Sequence, residues 1–403
     1  MIMYIKRTLE AVFQHESGIF PVMLVTGPRQ VGKTTFLKHI CKDNRTYVSL
    51  DDPAVLLLAQ TDPKAFLDRF PPPVLIDEIQ YAPELLPFIK MIVDKAQQGG
   101  MFWLTGSQQF QMMKGVTESL AGRVGIVNLL GFSNAELKKR KSEPFLPTLE
   151  FSADELNVNV VDFYHDIWKG YFPKIALIDD SHWETYYASY VQTYLERDVR
   201  ALAHVANLQH FYKFLRAAAA RTGQLLNYSD LSRDADISIT AAQNYLSILE
   251  ASSLVYLLEP YSNNLNKRIT KTPKLYFLDT GLAAYLTGWS SHQVLESGAM
   301  AGAFFETWCI AELLKSYWHN GKRAEFFFYR DKDQREIDLI IEKDGVLYPV
   351  EFKKSSNPGR DSIKHFKVLE QFKKPVGPGA VISMSSWHMP ITEQAVTIPA
   401  AML

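Results

Sequence analysis

Gly27-Pro28-Arg29-Gln30-Val31-Gly32-Lys33-Thr34 fits the spacing G-x-x-x-x-G-K-[ST], and Thr35 follows directly. Glycines in such a loop let the backbone curl until several N–H groups converge on one anion, and a helix N-terminus behind them adds positive potential. Lys33 supplies a full charge for the β and γ phosphates of a nucleotide, and the Thr34 hydroxyl can ligate Mg²⁺. A buried strand before the loop (Val22 to Thr26) and a helical pattern after it (Thr34 to Cys41) give the motif the context it requires. An ordinary glycine turn is the competing explanation; motif and context together favour phosphate.

A second part of such a site is an acid at the end of a neighbouring buried strand. Pro73-Val74-Leu75-Ile76-Asp77-Glu78-Ile79 supplies two. Asp77 would hold Mg²⁺ through water, and Glu78 could polarise an attacking water, since adjacent carboxylates can divide those tasks.

Near the other end of the chain, Glu306 shares a face of the helical stretch Phe304 to Trp318 with Cys309, Ile310 and Leu313. A carboxylate on an apolar face requires a partner, because burying it alone is costly. Asp338 interrupts the apolar strand Glu336 to Ile341, and in Val350-Glu351-Phe352-Lys353, at the end of the strand from Leu347, Glu351 and Lys353 share one face. A helix Glu, a strand Asp and a strand Glu-x-Lys in this order resemble the core of PD-(D/E)xK nucleases. That resemblance implies Mg²⁺ or Mn²⁺ on Asp338 and Glu351, with Glu306 in the same cluster and Lys353 orienting or activating a water. A twisted hairpin with ordinary inter-strand ion pairs would carry similar charges.

The elements that must position these residues follow an α/β grammar. Short apolar runs at Val22 to Thr26, Tyr47 to Leu50, Val74 to Ile76, Phe102 to Thr105 and Ile126 to Leu130 read as buried parallel strands between helices. The expected units are a phosphate-binding α/β domain over 1–135 and a helical connector over 136–206, entered by the basic run Lys138-Lys139-Arg140-Lys141. A third unit, 207–285, runs helix (Leu208 to Thr222), short helix (Tyr228 to Asp234), helix (Ser238 to Ala251, with Thr240 and Gln243 fitting a capping box) and hairpin. Its loop carries Asn263, Asn264, Asn266, Lys267, Arg268, Lys271 and Lys274. This is the pattern of a winged helix-turn-helix, and the basic loop makes DNA the expected partner. The last unit, 286–403, is a second α/β domain holding the nuclease-like set.

At 403 residues, a prior of about 150 residues per domain gives two to three domains. With 43 Lys and Arg against 44 Asp and Glu, the net charge of -1 excludes a basic nucleic-acid coat and an acidic disordered tail, though not a local basic patch. Cys41 and Cys309 match no metal-ligand spacing. The opening Met-Ile-Met-Tyr-Ile-Lys-Arg is the reverse of a secretory signal, and no apolar run approaches the ~18 residues of a membrane span. The expectation is a soluble cytoplasmic chain with no membrane partner.

The layout as a whole resembles a bacterial and archaeal family of AAA-type ATPases with a C-terminal domain of unknown function. Gly27–Thr35, Tyr47–Pro53, Leu75–Glu78, Leu104–Ser107, Leu120–Arg123, Phe277–Gly281, Gly302–Glu306, Tyr329–Asp338 and Pro349–Lys353 carry the resemblance. It implies a P-loop NTPase sheet, ATP rather than GTP, a winged helix and a nuclease-like fold. It also implies a phosphate sensor after the fourth strand, for which Ser107 is the candidate, and an arginine, Arg123, reaching a nucleotide in cis or in a neighbouring copy. Arg123 acting in trans would demand a homo-oligomer. Two functions stay open: an ATPase that gates a DNA-directed, nucleolytic C-terminal half, and an ATP-dependent switch acting on a protein partner with an inert nuclease-like fold.

Overall fold

In a computed structural model the chain is described at residues 4–41, 44–106, 119–150, 156, 158–194, 208–263 and 272–403. The first unit is built on five parallel strands: β1 (Val22–Thr26), β2 (Thr46–Ser49), β3 (Val74–Asp77), β4 (Phe102–Thr105) and β5 (Val124–Asn128), in the order β2-β3-β4-β1-β5. Helix α1 (Leu9–Ile19) precedes them, α2 (Lys33–Cys41) follows the glycine loop, and α3 (Pro53–Thr61), α4 (Pro63–Arg69) and α5 (Leu85–Ala96) complete the layers. Pro53 and Pro63 stand at first-turn positions where a missing N–H costs nothing, with Asp52 and Asp62 as caps. The three central strands, β1, β3 and β4, are buried on both faces. Val22, Leu24, Ile76, Phe102 and Leu104 face the α3–α5 side, and Met23, Val25, Leu75 and Trp103 face α1 and α2.

The last strand is offset from expectation. β5 begins at Val124 rather than Ile126, because Gly125 hides the apolar run. A Cβ there would stand 2.7 Å from Met23 Sδ and 2.9 Å from the Phe20 ring, so the strand packs where only glycine fits.

Beyond a short turn at Asn134–Leu137 come α6 (Val160–Lys169) and α7 (Trp183–Tyr194), then α8 (Leu208–Ala219), β6 (Gln224–Leu225), α9 (Tyr228–Ala235) and α10 (Ile239–Ala251). Ser238 caps α10 by accepting from Ala241 N, two residues ahead of the expected Thr240–Gln243 box. The hairpin β7 (Val255–Pro260) and β8 (Lys274–Phe277) follows, then α11 (Thr280–Thr287), α12 (His292–Ser297) and α13 (Ala301–Trp318). Strands β9 (Phe326–Arg330), β10 (Glu336–Lys343), β11 (Val346–Lys353), β12 (Gly379–Ser383), β13 (Met389–Thr392) and β14 (Ala395–Pro399) complete the chain.

One mixed sheet of nine strands runs β13-β14-β12-β11-β10-β9-β7-β8-β6. The hairpin and the C-terminal strands thus share hydrogen bonds, through the parallel pairing of Glu259 and Pro260 with Phe327 and Phe328. A single apolar cluster extends from Leu9 through α6, α7 and α13 to Ala400. Two 3₁₀ segments, Arg360–Ile363 and Phe366–Phe372, lie between β11 and β12. Among the described residues no helix is long and apolar enough to cross a membrane.

Candidate nucleotide site and C-terminal carboxylate cluster

The glycine loop leaves β1 at the C-terminal edge of the parallel sheet, the edge where open α/β sheets bind ligands. Its backbone takes positive φ at Gly27 (136°), Gln30 (62°) and Gly32 (87°). A Cβ on Gly27 would sit 2.0 Å from the Leu129 carbonyl oxygen, so residue type there is fixed by the backbone of the next strand. Lys33 folds back into the loop, donating to the carbonyls of Gly27 (2.9 Å) and Pro28 (2.7 Å). A buried ammonium in such a loop is placed to meet an anion.

Asp77, at the end of β3, lies beside the loop. It accepts from the Thr34 hydroxyl (2.8 Å), from Tyr47 OH (3.1 Å) and from the Thr105 hydroxyl. Register explains the meeting: Ser49 pairs with Asp77 and Ile76 with Leu104, so the ends of β2, β3 and β4 are level. Burial, then the Asp77 charge, push the Tyr47 phenol up to about 12, and it remains a donor. Glu78 turns through φ 60° and donates its N–H to the Thr105 hydroxyl (3.1 Å), while its carboxylate accepts from Gln80. Arg29 reaches the Tyr81 hydroxyl at 3.5 Å.

Thr105 and Tyr47 are the members that sequence reasoning missed. Thr105 ends the apolar run next to the acid-bearing strand, a signal that was readable. Tyr47 depended on the β2–β3 register. Ser107 lies outside the described residues. Thr34 and Asp77, bonded to each other, are a donor set that fits Mg²⁺, and the curled loop with Lys33 fits the phosphates of a nucleotide.

Arg123 is not brought to this site in its own chain. Val22 pairs with Val124, so Arg123 sits at the opposite end of the strands from Thr26, roughly 17 Å away at ~3.3 Å per residue. It is half-exposed and makes a two-point ion pair with Asp94 of α5, one arm at 3.1 Å.

The C-terminal residues do converge. Asp338 falls at a β-bulge in β10, where the register with β9 slips between Ile337 and Ile340, a device that re-aims side chains. Its carboxylate accepts from Phe352 N (3.0 Å). Lys353 pairs with Glu351 at 2.7 Å and Asp338 at 3.8 Å, and Tyr276 OH donates to Glu306 at 2.5 Å. Burial, followed by the charge of Asp338, holds Glu351 above the ordinary carboxylate range, and burial raises Glu306.

Lys274 is the correction. It opens β8 instead of ending the basic loop, is 3% exposed, and reaches Glu306 at 3.0 Å, Glu336 at 2.6 Å and Asp338 at 3.9 Å. Burial would depress its pKa; Glu306, Asp338 and Glu336 more than offset that and keep it charged. The Mg²⁺ or Mn²⁺ expected on Asp338 and Glu351 does not fit this arrangement, since an ammonium already lies against the carboxylates. Among the described residues no three His, Cys, Asp or Glu side chains converge to hold a metal. Lys267, Arg268 and Lys271 lie outside the described residues.

A buried polar junction joins the two halves. Arg7 donates to the carbonyls of Val31 (3.1 Å) in the glycine loop, Leu130 (2.7 Å) and Gly131 (3.1 Å). It pairs with Glu136 at 3.1 Å, and Glu136 lies 3.4 Å from His319 at the end of α13. His319 Nε2 accepts from Leu130 N (3.2 Å), and Lys315 of α13 donates to the Phe132 carbonyl (2.8 Å). Glu306 is on that same helix.

Residues 20–138 match the AAA domain family. Residues 161–293 and 301–403 match two domains of unknown function, DUF8612 and DUF4143. Two uncharacterized proteins, from Mycobacterium bovis and Mycobacterium tuberculosis, are each 27% identical over 383 residues, covering 94% of this chain and 80% of theirs. Among solved structures, a Walker-type ATPase of Pyrococcus abyssi is 15% identical with a TM-score of 0.42, covering 70% of this chain and 96% of its own. An overlap that partial carries no argument.

Proposed function

We propose that this chain is a Mg²⁺-dependent ATPase whose nucleotide state is passed to its C-terminal half through the buried junction on Arg7, Glu136 and His319. The carrying observation is the meeting of Lys33, Thr34, Asp77, Glu78 and Thr105 at one end of three adjacent parallel strands. Lys33 and the loop N–H groups bind the phosphates, and Thr34 with Asp77 holds Mg²⁺. The metal, when bound, neutralises charge on the β and γ oxygens. Glu78 polarises the attacking water, and Thr105 holds the Asp77 carboxylate and the Glu78 backbone. Arg123, distant from its own site, serves a neighbouring copy.

The output of the C-terminal half is the finer question. Three helices α8–α10, with β6 beside the β7–β8 hairpin, support the winged-helix reading. The exposed face of α10 offers Thr240, Gln243, Asn244 and Ser247, and α10 has no lysine or arginine. Arg221 and Arg233 are engaged by Asp234 and Asp230. Phosphate contacts supply most non-specific DNA affinity, so these charges favour a switch acting on a protein partner over a DNA-directed machine. The test is ATP hydrolysis in Mg²⁺ with and without double-stranded DNA, single-stranded DNA and RNA. We expect turnover indifferent to all three. Stimulation by one ligand that fades steeply with salt would instead establish the DNA- or RNA-directed reading.

A further inference from the structure

We propose that the Lys274 ammonium takes the place of the divalent cation in the C-terminal carboxylate cluster, so that this nuclease-like centre is a metal-free ionic lock. The inference rests on the nuclease-like reading of α13, β10 and β11 and goes beyond it.

Four carboxylates, Glu306, Glu336, Asp338 and Glu351, gather around two ammonium groups. Lys353 serves Glu351 at 2.7 Å. Lys274, on the hairpin strand, bridges the helix acid Glu306 to the strand acids Glu336 and Asp338 at 3.0, 2.6 and 3.9 Å. Of the two acids on which the nuclease-like pattern would place a metal, Asp338 faces Lys274 at 3.9 Å and Glu351 faces Lys353 at 2.7 Å, so both already have an ammonium partner. An ammonium has one charge and no exchangeable coordination position, so no water is activated and no phosphate oxygen is bound.

The neighbours fix the ammonium in place. Tyr276, two residues along the same strand and on the same face, donates to Glu306 at 2.5 Å. The Phe328 ring lies 5.5 Å from Lys274 Nζ. Arg330 pairs with Glu336 at 3.4 Å, so that acid is held from both sides. Lys274 cannot withdraw cheaply, because a buried acid cluster stripped of its counter-ion is strongly destabilised. The lock also has a mechanical role. It ties β8 to α13, the helix whose far end reaches the nucleotide half through Lys315 and His319.

The experiment is Mn²⁺ binding to nucleotide-free full-length protein, followed by the loss of the free Mn²⁺ paramagnetic signal. Wild type, Asp338→Asn, Lys274→Met and the Lys274→Met/Asp338→Asn double variant are compared. Wild type and Asp338→Asn should bind Mn²⁺ equally weakly, and neither should cut single- or double-stranded DNA in Mn²⁺. Lys274→Met should gain one Mn²⁺ per chain, and the double variant should lose it. Mn²⁺ binding or cutting by wild type that disappears in Asp338→Asn overturns the proposal, even if Lys274→Met does not fold. A folded Lys274→Met without the added Mn²⁺ overturns it as well. ATP turnover of the same preparations is read separately, so failure of the ATPase reading cannot be mistaken for failure of this one.

Discussion

Replacing Arg7 by alanine isolates the junction between the two halves. Arg7 is 3% exposed, donates to three carbonyls, and is the strongest counter-charge of Glu136. Removing one member of a buried pair strands the other, a loss of about 3–5 kcal/mol. The three orphaned carbonyls are partly rehydrated in the cavity, so the lower half of that range is the expectation at pH 7.5. The pH dependence carries a sign. In wild type, burial would raise the Glu136 carboxyl, but Arg7 and His319 overcome it and hold it far below its ordinary value of 4.5. A depressed folded pKa gives stability that is fully present above the unfolded value and is lost as pH falls below it. Without Arg7, burial dominates and the carboxyl is pushed up, so the variant recovers relative stability on acidification. The groups facing Glu136 are Arg7, His319 and the N–H groups of Thr8 and Ser133, and protonation of His319 acts in the same direction. Guanidinium unfolding at pH 7.5 and 5 measures both effects. The gap between wild type and Arg7→Ala should shrink at the lower pH. A gap below about 1 kcal/mol at pH 7.5, or one that widens on acidification, would refute the reasoning. Because Arg7 also holds the Val31 carbonyl, KM for ATP should rise by more than kcat falls.

Further outcomes follow from the nucleotide site. Gly27→Ala should abolish ATP binding and lower the melting temperature, because its Cβ meets the Leu129 carbonyl at 2.0 Å; an unchanged melt with intact binding contradicts the loop geometry. Glu78→Gln should keep affinity for a fluorescent ATP analogue while turnover falls by about a hundred- to ten-thousand-fold. Arg123→Ala should also keep ATP affinity, with wild-type specific activity rising with protein concentration and the variant's staying flat. Equal concentration dependence in both would remove Arg123 from catalysis in trans.

What the sequence disclosed depended on how local the signal was. The glycine loop, Asp77 and Glu78 are contiguous motifs, and the buried strands before them read as unbroken apolar runs. Glu306, Asp338, Glu351 and Lys353 are scattered over nearly fifty positions; Glu306 and Asp338 stood out as charges in apolar surroundings, Glu351 and Lys353 only as a pair on one strand face, and the fold gathers them. Lys274 escaped because it follows Lys267, Arg268 and Lys271 and reads as one more charge in a basic loop; only strand pairing shows that it points inward. Strands β13 and β14 were missed because Pro390 and Pro399 suppress the strand signal, and the pairing of β7 with β9 crosses more than sixty residues. The Arg7–Glu136–His319 junction has no sequence signature, since its members meet only after three units have packed.

The most direct test of the central claim is phosphate release from Mg²⁺·ATP by wild type and Lys33→Ala, each shown by circular dichroism to be folded. The account predicts steady turnover in wild type and none above background in Lys33→Ala. Equal release by both proteins would contradict it, because the ammonium held in the loop by Gly27 and Pro28 would then have no part in binding or hydrolysing the nucleotide.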